Sequence, residues 1–294
     1  MIVVILVVAL NADKIYAEVN SFFTQNKELV IPEKNTYVKA KNYQYITYVE
    51  DFKPNNYQDL INIFYTVIDN GWEEFTFYCP DSYKSCIDDV SKLSFDEVLL
   101  SHINNFVHPY NSYSTIKTLY DKTGEVTIII SHLYNKYEIQ KIDPLLDDII
   151  KNNINNYMTD MQKIEVLHNY IINNTKYDKQ KVDTDYSPYD SSRIQGVLFD
   201  NYAICSGYTD TMAVLLNKLG ITNYKISSDT HVWNAVYLDG KWLHLDLTWD
   251  DPVTSTNKDI INYEYFLIDS NRLALNDGDA KDHIFDRNIY LEFK

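Results

Sequence analysis

A thiol, an imidazole and a carboxylate able to act together on an acyl group fall within one stretch of this 294-residue chain. The thiol is Cys205, in Ile204-Cys205-Ser206-Gly207-Tyr208, with Met212, Leu215, Leu216 and Leu219 following at helical spacing and Gly220 supplying a stop. The spacing predicts a helix that opens at Cys205. At such a terminus the unpaired N–H groups and the helix dipole favour negative charge on sulfur, which is the nucleophilic form, and the same N–H groups can donate to an oxyanion. A buried structural cysteine is the plain alternative, so a partner base is needed.

The partner comes from a hairpin. Val232 to Leu238 and Trp242 to Trp249 alternate like strands around Asp239-Gly240, a two-residue turn signal. Leu238 then pairs with Lys241, which sets Ala235 against His244, Trp233 against Asp246 and His231 against Thr248. With a period of two, His231, Trp233, Ala235, His244, Asp246 and Thr248 share one face. Asp246 lies diagonal to His231, roughly 5 to 8 Å away between Cβ atoms, where a carboxylate can accept from an imidazole N–H and orient it as a base. Asp250 lies on the other diagonal with the same parity, nearer the strand end and Pro252. His244 sits further along the face and reads as a structural or supporting residue. A Trp-rich packed sheet holding one satisfied His–Asp pair is the competing account.

The elements upstream read as a lead region. Leu60, Ile61, Ile63, Phe64, Val67 and Ile68 recur at helical spacing, Phe75 to Tyr78 reads as a strand, and helical patterns follow at 87–93 and 95–106. Ile116 to Tyr120 and Val126 to Leu133 form a hairpin around Asp121-Lys122-Thr123-Gly124. Helices are expected at Pro144 to Met158 and Met161 to Ile172, the second capped by Thr159 or Asp160, and Tyr177 to Ile194 reads as an exposed polar loop. The expected organisation is α+β: residues 1–17 a leader, 18–140 a smaller α+β lead region, and 141–294 a catalytic domain.

Composition narrows the partners. Lys and Arg number 26 against 42 Asp and Glu, a net charge of −16, with no basic block to meet a phosphate backbone, which excludes nucleic acid and anionic lipid surfaces. Only 7 glycines occur and no phosphate-binding glycine motif is present. The apolar run Ile2 to Leu10 is too short to span a bilayer and has the length of a secretory h-region, with Ala17 at a cleavage position, so export is expected. In an oxidising compartment, Cys79 and Cys86 pair most economically and leave Cys205 free, a bridge worth roughly 2 to 3 kcal/mol by chain entropy. No zinc-type His or Cys spacing appears. Asp277, Asp279 and Asp282 lack the spacing of a calcium loop and read as a solvated turn, so neither a metal nor another cofactor is expected.

Cys205-Ser206-Gly207-Tyr208 opening a helix, His231-Val232-Trp233-Asn234, and Trp242 through Asp246 to Pro252 together resemble the transglutaminase-like superfamily of papain-fold enzymes, in the form found in secreted Gram-positive bacterial proteins. The resemblance covers roughly residues 160 to 271. It implies a nucleophile helix packed on an antiparallel sheet, with Cys205 the nucleophile, His231 its activator and Asp246 the residue that orients the histidine, which settles Asp246 over Asp250. A papain-type glutamine as second oxyanion donor would fall on Gln195, ten residues before Cys205 and further than that pattern has it. Animal members depend on calcium, but their binding segments have no counterpart here. The implied activity is thioester chemistry on peptide or glutamine-side-chain amides of a protein substrate, such as a cell-wall or host protein, hydrolytic in preference to cross-linking. A transglutaminase or deamidase is the nearer alternative, and a non-catalytic cell-surface module that keeps the fold is the further one.

Overall fold

The computed structural model of the protein describes residues 34–39, 45–252 and 260–294; the expected leader at 1–17 lies outside them. After a short helix α1 (Thr36–Lys39), helix α2 (Tyr57–Asp69) starts where the Asn56 side chain accepts from the Asp59 N–H. All its residues from Leu60 to Asp69 are buried, as expected for a helix in the middle of a core. Strands β1 (Glu74–Tyr78), β2 (Tyr113–Tyr120) and β3 (Glu125–His132) form an antiparallel sheet in the order β1-β3-β2. The Cys79–Cys86 disulfide, with Cα atoms 5.8 Å apart, ties the end of β1 to the start of α3 (Cys86–Phe95), and α4 (Glu97–Asn105) follows.

Helix α5 runs over Lys136–Asn153, well before the start expected at Pro144. Asn135 and Glu138 form a capping box that nucleates it earlier, and Pro144 is accommodated inside. Helix α6 (Asp160–Asn174) is capped by Thr159, one of the two expected candidates, with Gln162 completing a capping box. The stretch expected as an exposed loop is more structured. It holds a two-residue strand β4 (Lys176–Tyr177), parallel to β5 (Tyr202–Ala203), and helix α7 (Lys179–Thr184), while Ser191 and Ile194 are buried.

Helix α8 (Cys205–Lys218) packs on a second antiparallel sheet, β6-β7-β8 (Asn223–Ser227, Val232–Leu238, Lys241–Leu245). Its hairpin register is the expected one, with Leu238 opposite Lys241 and Ala235 opposite His244. Strand β8 was expected to reach Trp249 but ends at Leu245. The Asp246 carboxylate accepts from the N–H groups of Thr248 at 2.8 Å and Trp249 at 3.3 Å, and this side-chain turn competes successfully with the ladder.

The two faces of this sheet belong to different cores. Tyr224, Ile226, Trp233 and Ala235 pack with the lead-region helices and with Tyr290 and Phe293 from the C-terminus, whereas Val236, Leu238 and Leu245 pack with α5, α6 and α8. A buried Lys225–Asp210 pair at 2.8 Å bonds β6 to α8, and Tyr134 donates to the same carboxylate. The chain is therefore α+β, with the helix that carries Cys205 seated on an antiparallel sheet whose other face the lead region covers.

Candidate active site

Cys205 is the first residue of α8, and the preceding Ile204, extended at φ −103°, has no side-chain acceptor with which to cap the helix. The dipole end of the helix is thus presented at the thiol, the free cysteine of the described residues, which is partly exposed. The segment in front is drawn tightly onto the helix. Ile204 N–H donates to Ser191 O at 2.9 Å, Ser206 Oγ donates to Ser192 O at 2.8 Å, and a Cβ at Gly207 would lie 2.5 Å from Ser191 O. Glycine is required there by the close approach of the two backbones.

His231 stands just before β7 and Asp246 just after β8, so the hairpin register delivers both to one end of the sheet. The His231 Nε2–H donates to Asp246 Oδ2 at 2.6 Å, which leaves Nδ1 for the Cys205 thiol that lines the same cleft. Burial opposes charge on His231, but Asp246 and the neighbouring sulfur outweigh it and hold the imidazolium up to about 10. Burial likewise opposes charge on Asp246, yet His231 and His283 keep its carboxyl well below the usual range. The Trp233 indole stacks against His231 with ring centroids 5.8 Å apart and fixes the imidazole plane.

These groups open into a cleft of about 620 Å³. Tyr177, Val182, Ile204, Trp249 and Pro252 give it apolar walls, and Asp251 and Asp282 line it without any Lys or Arg. Tyr208, one turn into α8, donates to Asp251 at 2.5 Å and so ties the cleft edge to the helix.

The other residues singled out from the sequence lie elsewhere. Asp250 does not face His231: its Oδ2 meets His168 Nε2 at 3.1 Å and its Oδ1 accepts from Tyr265 N–H, deep under α6. His244 is a packing residue. Its Nδ1 accepts from Trp233 Nε1 at 3.0 Å, its Nε2 then donates to Ser270 Oγ, and burial, with the charges of His283 and Arg287, pushes its pKa down to about 3. Gln195 is buried away from the cleft lining, its amide without a hydrogen-bond partner among the described residues. Asp277, expected in a solvated turn, is buried and bonded at 2.8 Å to His283 Nδ1. His283 was not singled out at all, although its Nε2 lies 2.8 Å from Asp246 Oδ2. No local pattern marks it, because it is brought to the hairpin by the fold after α9 (Ser270–Asp277).

Residues 147–247, a stretch that contains Cys205, His231 and Asp246, match the model of the transglutaminase-like superfamily. Over an alignment of 143 residues the chain is 27% identical to the kyphoscoliosis peptidase of Homo sapiens, covering 42% of this chain and 21% of that protein. The chain therefore spans about a fifth of that curated relative. Among solved structures, one described as a TGase is similar at 18% identity and a TM-score of 0.36, covering 52% of this chain and 48% of that one. A candidate cysteine protease from Cytophaga hutchinsonii is similar at 14% identity and a TM-score of 0.26, covering 45% and 61%.

Proposed function

We propose that the protein is a thiol acyl-transfer enzyme acting on amides of protein or peptide substrates, hydrolytic in preference to cross-linking. The observation that carries this is the 2.6 Å bond from His231 Nε2 to Asp246, which fixes the ring orientation that leaves Nδ1 for a thiol at an uncapped helix terminus. Cys205 sulfur attacks the amide carbon while backbone N–H groups of the first turn of α8 receive the oxyanion. His231 hands its proton to the departing amine, and the acyl group remains on sulfur as a thioester. Water, deprotonated by His231, then displaces the sulfur and releases the acid. An amine entering at the same step would give a cross-link. The partly exposed thiol and open cleft favour water as the acceptor. Export and the secreted Gram-positive form of the family are part of this proposal; the Cys79–Cys86 disulfide, of a kind that forms and persists mainly in oxidising compartments, supports export.

The test is a quenched amide-cleavage assay run beside an amine-incorporation assay on cell-wall and host-protein extracts. Cleavage lost in Cys205→Ala is expected; activity that survives the substitution rejects the nucleophile, and incorporation without cleavage reverses the preferred outcome.

A further inference from the structure

Asp246 is shared by two histidines. Its Oδ2 lies 2.6 Å from His231 Nε2 and 2.8 Å from His283 Nε2, while Oδ1 takes the N–H groups of Thr248 and Trp249. Each contact on an ionised carboxylate must be a donor, so both Nε2 atoms carry hydrogen. His283 Nδ1 then meets Asp277 Oδ1 at 2.8 Å, and Asp277 also accepts from the backbone N–H groups of Asp282 and His283. Two bare acceptors cannot bond each other. Both oxygens of Asp277 already accept from backbone N–H groups, which makes the carboxylate the acceptor and the ring N–H the donor in this contact.

Metal ligation is the other chemistry that three such groups, all within 4.8 Å, could offer. An ion at ordinary bond lengths of about 2.0–2.2 Å in tetrahedral geometry would hold its ligand atoms roughly 3.3 Å apart. The observed 2.6 and 2.8 Å are hydrogen-bond separations.

Resting on Cys205 as the nucleophile, we infer that His283 is a positioning residue: an imidazolium clamped between Asp277 and Asp246 that holds the Asp246 carboxylate in place and offsets part of its charge at His231. His231 must swing its Nδ1 proton between sulfur and leaving group; the backbone holds Oδ1 of Asp246, and without His283 nothing else would hold Oδ2, the oxygen on which His231 pulls. A fixed cation on the same oxygen keeps the carboxylate still and keeps His231 from holding its proton too firmly. The groups that face His283 are Asp246 and Asp277 by hydrogen bond, His231 with ring centroids 5.2 Å away, Tyr265 at 5.1 Å, Trp233 at 4.9 Å, Trp249 at 5.5 Å, and His244, on which its charge acts; Asp282 adjoins it in the chain.

The experiment compares wild type, His283→Gln, and His283→Gln/Asp277→Asn, the double variant avoiding an unpaired buried acid. Turnover and Cys205 alkylation are followed against pH. In His283→Gln, removing a positive charge at this range should move the alkaline limb of turnover upward by about one pH unit and lower kcat near pH 7 about tenfold, with KM little changed; the double variant, which removes a charge of each sign, should lower kcat similarly with a smaller upward shift. Both variants keeping the wild-type limb, with only stability altered, would overturn the inference. So would nitrogen-15 spectra of the wild type showing His283 singly protonated at pH 7, a measurement that needs neither variant to fold. If Cys205→Ala is active, the nucleophile is wrong; if it is inactive while the limb stays fixed, only the role of His283 is wrong.

Discussion

Two histidine–aspartate pairs lie four residues apart at their acidic ends, and they have opposite characters. His231 and Asp246 meet at 2.6 Å at the end of the sheet, beside a thiol, with Asp246 buried and His231 lining a cleft. His168 and Asp250 meet at 3.1 Å with both side chains wholly buried, and Asp250 spends its other oxygen on the backbone of Tyr265. The second pair fastens the segment that returns past residue 260 to helix α6. A buried imidazole on a carboxylate is therefore not in itself a site. Function requires that the remaining ring nitrogen face a reactive group and that substrate can reach it.

The largest expected difference between the pairs is obtained by removing the histidines. His231→Asn should lower turnover about 10²–10⁴-fold, the range for loss of a general base, in a protein that still folds but with Tm lowered by loss of the bond to Asp246. His168→Ala leaves Asp250 buried without its partner, a loss of about 3–5 kcal/mol in stability, while turnover per folded molecule stays within about threefold. Calorimetry alongside active-site-titrated kinetics checks both. If His168→Ala inactivates the folded enzyme, the division between working pair and fastening pair collapses.

Next in size are the acids, where Asp246→Asn should reduce turnover by about 10²-fold or more and Asp250→Asn by little. Their stability should also respond to pH with opposite signs. Asp246 is held below the usual carboxylate range, so its contribution is present above pH ~4 and is lost as pH falls toward its folded value. His231, raised to about 10, contributes fully below pH ~6.5 and loses that contribution as pH rises through about 10. Burial raises Asp250 despite His168, so its contribution is full below pH ~4 and declines as pH rises through the folded value. Between pH 5 and pH 3, therefore, wild type should lose stability relative to Asp246→Asn and gain it relative to Asp250→Asn. Denaturant midpoints measured across that range would contradict the account if both differences changed in the same direction.

The same contrast shows what the sequence could disclose. The Cys205 helix, the Asp239-Gly240 turn and the register of β7 against β8 were legible because each rests on local chemistry: apolar spacing, a turn dipeptide and a period of two. That register alone carries His231 to Asp246. It could not by itself exclude Asp250, because parity is preserved past Leu245 only if the strand continues, and the turn on Asp246 Oδ1 ends it. The early start of α5 was written in Asn135 and Glu138, but Pro144 is the louder local signal. His168, His283 and Asp277 were illegible for another reason. Their partners lie 82, 37 and 6 residues away across tertiary contacts, and no periodicity within an element reports such a contact.

The smallest predicted effect concerns access, the property that separates the two pairs most simply. The cleft over His231 carries Asp282 and Asp251 and no Lys or Arg among its lining residues, while Tyr208 already occupies one oxygen of Asp251. Asp282 is the less engaged of the two, since the contact it makes to Thr230 Oγ1 is 3.3 Å long. A substrate with Lys or Arg close to the reacting amide should therefore meet Asp282 on entry, in a solvated setting where one charge pair contributes about 0.2–1 kcal/mol. That energy corresponds to a rise in KM of about 1.4- to fivefold for basic peptides in Asp282→Asn, with kcat unchanged and neutral peptides unaffected. Raising ionic strength from about 0.05 to 0.5 M should erase the difference between wild type and variant, because exposed charges beyond a few ångströms are screened. A change in kcat, or an equal effect on neutral peptides, would mean that Asp282 acts through Thr230 and the backbone in front of His231 and not through the substrate.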